Sequence, residues 1–230
     1  MRVVAAAAAM WRGITDPRRV HEATTGTATA IFAVAVLLVG LTSAVCAMIE
    51  HGQSGLAAES ALLTAGSGAS SADAAIDVST PQRQFTAALG GALMVSTIST
   101  AVLAGLFLVL MRFMTDAPVT YGMAITSVSA TALIQVIDLL MSTGAHMVFG
   151  TLRAGLHAGV TMDPASSPML FTWLQQISLP SLWQYLAASV ALATWGGLHA
   201  RFGIVVGLVV WVISRLVHGG FTLVGWILSL

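Results

Sequence analysis

The stretch AIFAVAVLLVGLTSAVCAMI, residues 30–49, decides the class of this chain. It carries no charge, and the nearest charged residues are Glu22 on one side and Glu50 on the other. About 20 apolar residues wound as a helix cross the ~30 Å hydrocarbon core of a bilayer. The stretch therefore predicts a transmembrane helix.

Working outward, the same test finds more. No charge occurs between Arg83 and Arg112, which predicts a second span over 85–111. From Asp116 to Arg153 the only charge is Asp138, which predicts a third over 120–149. The interval from Asp163 to Arg201 is charge-free but holds Pro168 and Pro180. Proline belongs in a first helical turn rather than an interior, so the fourth span is placed at 181–200. A fifth runs from residue 202 toward the C-terminus, with Arg215 and His218 inside it, and a break at Gly219-Gly220 would lay its tail along the interface. Residues 51–83, with Glu59, Asp73 and Asp77, read as a polar loop holding a short helix over 57–64. The apolar stretch 169–177 is too short to cross and reads as interfacial.

Composition agrees. The 230 residues are 57% hydrophobic and 8% charged, with mean hydropathy +0.90. A soluble domain carries about 25% charged residues, so lipid must solvate part of this surface. Formal net charge is zero, which points away from nucleic acid. Cys46 is the only cysteine, so no intrachain disulfide or cysteine-based metal cluster forms. The opening Met1-Arg2 and the apolar residues after it imitate a signal peptide, but Arg12, Asp16, Arg18 and Arg19 follow directly. The reading is a retained cytosolic segment, residues 1–25, ahead of a membrane domain over 26–230. Within it, residues 10–20 can lie at the interface, their arginines drawn to anionic lipid.

Cytosolic flanks are enriched in basic residues. With the N-terminus inside, the inner side holds Arg2, Arg12, Arg18, Arg19, Arg112 and Arg201, against Arg83 and Arg153 outside. Cys46 then falls near the outer end of the first span. The expected fold is an all-α polytopic bundle of five transmembrane helices, N-in and C-out.

Trp11-Arg12-Gly13-Ile14-Thr15-Asp16-Pro17-Arg18 precedes the first span, and Tyr121-Gly122-Met123-Ala124 opens the third after a short arginine-bearing turn. Ser178-Leu179-Pro180-Ser181-Leu182-Trp183 opens the fourth, which ends Gly196-Gly197-Leu198 before a tight turn. In order and spacing, over residues 11–218, this resembles the bacterial and archaeal branch of the Yip1 family of five-span membrane proteins. The family often has Asn or Asp and Phe just before Ser-Leu-Trp, where this chain has Leu179 and Pro180. The resemblance implies the five-span fold and a cytoplasmic (inner) membrane. Eukaryotic relatives bind small GTPases through longer cytosolic regions, a partner not carried over to this chain.

Two polar stripes cross the spans. Thr131, Gln135, Asp138, Ser142 and His146 share one face of the third, and Trp211, Arg215, His218 and Thr222 one face of the fifth. Ionisable groups at such depth face protein or a water-filled cavity. Gln135, Asp138, Ser142, Arg215 and His218 are therefore the expected intramembrane polar cluster, with Arg215 meeting Gln135 and Asp138. Its role is interhelical glue or a polar pathway. His146, His157 and Asp163 fall toward one end, but their spacing matches no metal-ligand motif, so no metal or cofactor is expected. Gly203 and Gly207 form a GxxxG able to support dimerisation. No GxSxG, HExxH, P-loop or dinucleotide fingerprint occurs. The expected function is a non-enzymatic membrane organiser or assembly partner, its partners the lipid bilayer and other membrane proteins or a second copy. The alternative is a transporter or channel subunit. A membrane enzyme has the least support.

Overall fold

The charge-free stretches do form the long helices, and the computed structural model describes residues 2–23, 27–66 and 81–228. Asp73, Asp77 and the proposed boundary at 25/26 lie outside these. Among the described residues all regular structure is helical, apart from one isolated β-bridge, and four helical stretches are long and apolar enough to cross a membrane. These are α2 (Ala28–His51), α4 (Pro81–Met114), the pair α5 (Tyr121–Ala130) and α6 (Ala132–Phe149), and α9 (Ala200–Leu228). The shorter helices are α1 (Arg2–Thr15), α3 (Ser54–Gly66), α7 (Pro168–Gln175) and α8 (Leu179–Trp195). The fourth expected span is thus α8, which ends five residues early. Helix α9 continues as helix through Gly219-Gly220.

The expected third span is broken at Thr131 (φ −90°, ψ 2°). The cause is local. Thr126 and Ser129 donate back to the carbonyls of Gly122 and Ile125, both at 2.7 Å, and Thr131 to that of Val128 at 2.8 Å. Such back-bonding bends a helix. Gly13 of α1 sits directly against the Ala130 carbonyl, where a Cβ would collide. The N-terminal segment is therefore no detached tail. Ala6, Ala9 and Met10 are fully buried, and α1 packs on α2, α5 and α6.

Helix α8 is the centre of the bundle. All residues from Ala187 to Ala193 are buried, on every side of the helix, as expected of a helix enclosed by others. It packs against α5, α6 and α9, and the largest core cluster joins its Tyr185 and Leu192 to Phe107 and Met111 of α4 and Val206 and Val210 of α9. The exterior is apolar: Val102 and Phe113 of α4, Val148 of α6 and Leu216 of α9 are exposed. Lipid tails offer no hydrophobic drive between helices, so close approach of small residues carries the packing. Gly203 and Gly207 lie against Val190, Ser189 and Leu186 of α8. The GxxxG is spent on a seam within the chain.

Pro180 stands in the first turn of α8, and Ser178 caps it by accepting from the Ser181 N–H at 3.1 Å. At the other end, Leu198 N donates to Ala193 O at 2.8 Å and Gly197 N to Thr194 O at 3.2 Å, with Gly197 at φ +78°. This is a Schellman motif, and it turns the chain at once into α9. The α4–α5 turn lies at the same end, since Val119 abuts Gly196.

Candidate functional site

Each polar stripe is engaged, but not with the other. Arg215 Nη1 donates to the Gln176 carbonyl at 2.7 Å and to Gln176 Oε1 at 3.3 Å; Nη2 donates to Tyr185 Oη at 3.0 Å and Ser214 Oγ at 3.3 Å. The guanidinium also lies over the Tyr185 ring, 5.5 Å from its centroid. Gln176 is the C-cap of α7, so its carbonyl belongs to the negative end of a helix and suits a cation. The Arg215 carbonyl accepts from Trp173 Nε1 at 3.0 Å, and Trp211 Nε1 donates to Ser181 Oγ at 3.2 Å. Three helices, α7, α8 and α9, are thereby tied together.

Asp138 is bonded elsewhere: Ser178 Oγ donates to its Oδ2 at 3.2 Å. The expected pairing of Arg215 with Gln135 and Asp138 is not formed. The reason is topological, because α8 packs against both α6 and α9 and stands between them. The five residues do not form one cluster. Gln135 is exposed, Ser142 is half-buried, and His218 is exposed on α9. The side chain of Thr222 lies outside the described residues.

A different group of polar residues meets at the end of the bundle remote from α1. Glu50, in the last turn of α2, receives Thr143 Oγ1 at 3.0 Å and faces His146 Nδ1 at 2.6 Å. Glu59 of α3 accepts from Thr151 Oγ1 at 3.0 Å and from the Leu152 N–H at 2.8 Å. His157 is buried between Gly155 and Gly159 with its ring edge-on to Phe171. Residues 157 and 178 form an antiparallel bridge, so the loop holding His157 also sets Ser178 against Asp138. Asp163 closes a local turn by accepting from the Ala165 N–H.

Comparison with protein-family models, curated proteins and solved structures finds no match.

The chemistry available at this end follows from the groups themselves. Among the described residues, His146 Nε2 and both ring nitrogens of His157 are buried with no partner at hydrogen-bond geometry. Burial, and secondarily the neighbouring His146, push the His157 pKa below its ordinary value. Among the described residues no three His, Cys, Asp or Glu side chains converge to hold a metal ion. A cavity of about 380 Å³ opens beside Glu50 and His51 among Ala47, Leu56 and Ala88. Sequence reading treated Glu50 only as the end of a span. The available signal was depth: it ends α2 at the level where the α6 stripe reaches His146.

Proposed function

We propose that this chain is a non-enzymatic integral membrane protein of the Yip1 type, acting as a membrane organiser or assembly partner in a bacterial cytoplasmic membrane. The observation that carries this reading is the separate commitment of the two polar stripes. Arg215 is held by Gln176, Tyr185 and Ser214, and Asp138 by Ser178. A conduction path would bring such groups to one shared lumen; here they join helices, which supports glue. Gln135, exposed in the middle of an apolar stretch, supplies an uncommitted amide for a neighbouring helix.

We also propose five crossings, N-in and C-out. Helix α8 has 17 residues, which at 1.5 Å each gives about 26 Å, close to the ~30 Å core. Arg12, Arg18 and Arg19 belong to the N-terminal segment, and the turns bearing Arg112 and Arg201 lie at that same end of the bundle. This is the gathering the basic-flank rule expects on the cytosolic side.

The functional test is isolation in mild detergent beside a flux assay in vesicles. A defined complex with other membrane proteins or with itself, and no flux that depends on Asp138, is the expected result. Solute flux abolished by Asp138→Asn in a stable protein would replace the reading with the transporter one. Topology is tested with reporters fused after residues 65 and 115. Activity of the first only inside, or of the second only outside, overturns the orientation.

A further inference from the structure

At the α1 end of the bundle three cationic or potentially cationic side chains border one open cavity of about 530 Å³: Arg18, His199 and Arg201. Thr194, Leu198 and Ala200 complete its lining, and no acidic residue is among them. Elsewhere in the same segment the arginines are occupied, since Arg12 and Arg19 both bond Glu22, at 3.0 and 2.9 Å. Arg18 and Arg201, in contrast, have no ion-pair or hydrogen-bond partner for their side chains among the described residues.

The backbone that presents them is built. The turn Pro17–Ala23 is fastened to α8 by Thr194 Oγ1, which donates to the Arg18 carbonyl at 3.3 Å. The Schellman turn at Gly197 brings His199 and Arg201 back beside it. Ala200 and Arg201 open α9, whose amide end carries positive partial charge. Two residues far apart in sequence are thus held on one site by the α8–α9 turn. The site lies at the start of α9, one of the helices long and apolar enough to cross a membrane, and the end of such a helix is where lipid headgroups stand.

We infer that the cavity between Arg18, His199 and Arg201 binds an anionic phosphate group. Guanidinium forks match phosphate oxygens in geometry and charge. The group can arrive as the headgroup of an anionic phospholipid or as free phosphate, and the two are separable by experiment.

The full chain in neutral-detergent micelles is titrated with phosphatidylglycerol, with phosphatidylcholine of the same acyl chains, and with inorganic phosphate, and binding is read from the melting temperature. Phosphatidylglycerol is expected to raise it saturably and phosphatidylcholine to leave it unchanged. Near an anionic surface a single arginine contributes about 1 kcal/mol. Arg18→Gln or Arg201→Gln should therefore weaken binding about five-fold and the double variant roughly thirty-fold. Arg153→Gln, on a loop at the other end, should bind as wild type does. Both substituted arginines are exposed, and the lipid-free melting temperature of each variant checks its fold. The Arg18→Lys, Arg201→Lys variant keeps the charge but loses the guanidinium fork, and should bind more tightly than the double glutamine variant and more weakly than wild type. Saturable binding of inorganic phosphate that the double glutamine variant loses would assign the site to the free ion. Unchanged phosphatidylglycerol affinity in that variant, or an equal loss in Arg153→Gln, overturns the inference.

Discussion

His146 Nδ1 stands 2.6 Å from Glu50 Oε1, joining the last turn of α6 to the last turn of α2. A carboxylate at the carbonyl end of a helix opposes the helix dipole, and His146 with Thr143 offsets that. His146→Ala should leave Glu50 with only Thr143 and destabilise the protein by about 1.5–3 kcal/mol, the range for hydrogen bonds to charged groups. Glu50→Gln, which keeps an acceptor, should cost less. Denaturation in detergent gives both values and their coupling. Strictly additive single and double variants would show that the contact contributes nothing.

The joint around Arg215 makes a second prediction. Arg215→Ala and Tyr185→Phe share a hydrogen bond and should couple by about 0.5–3 kcal/mol in a double-mutant cycle. Arg215→Ala and Asp138→Ala share no partner and should add within about 0.5 kcal/mol. Strong coupling in the second cycle would place the two charges together, contrary to the structure.

These two joints mark how far the sequence could be read. The long apolar helices were legible because charge and hydropathy are local: Glu22 precedes α2 and Glu50 stands in its last turn, and Arg83 and Arg112 lie within α4 near its two ends. The start of α8 was legible because proline chemistry is local too. The partners of Asp138 and Arg215 were not. They depend on α8 lying between α6 and α9, and on Gln176 offering a backbone carbonyl, which carries no side-chain signature. The helix break at Thr131 lies among local Thr and Ser back-bonds, and the packing of Gly13 against it could not be read, because the two lie more than a hundred residues apart.

Gly203 and Gly207 separate two readings of one motif. A Cβ at Gly203 would fall 2.7 Å from Val190 Cα and 2.8 Å from Ser189 O. Both are backbone atoms that cannot step aside. Gly203→Ala should therefore destabilise the single chain by about 1–3 kcal/mol, the range for overpacking. At Gly207 the obstruction includes Ser189 Oγ, so Ser189→Ala should recover part of the loss from Gly207→Ala. A motif serving a dimer would instead change the oligomeric state measured by light scattering and leave the melting temperature alone.

The last prediction concerns acid. His157 lies in the loop before α7, 8% exposed, with neither ring nitrogen at hydrogen-bond geometry with a partner among the described residues. Burial lowers its pKa below the ordinary 6.5, and the neighbouring His146, itself against Glu50, lowers it further. Above pH 6.5 the ring is neutral whether the chain is folded or unfolded, so stability does not respond to it. Between that value and the lower folded pKa, the unfolded chain holds the extra proton, and stability falls as pH falls. Below the folded pKa both states are protonated and the loss levels off. The segment to loosen first is the 157–178 bridge, since Ala158 N donates to Ile177 O and Leu179 N to Leu156 O across it. Protection of these two N–H groups, taken relative to the intrinsic exchange rate at each pH, should therefore fall on acidification below pH 6.5, in the range in which histidine titrates. His157→Gln should flatten the part of the response that this ring causes. If the variant and the wild type lose stability in parallel over that range, His157 is not the group being titrated.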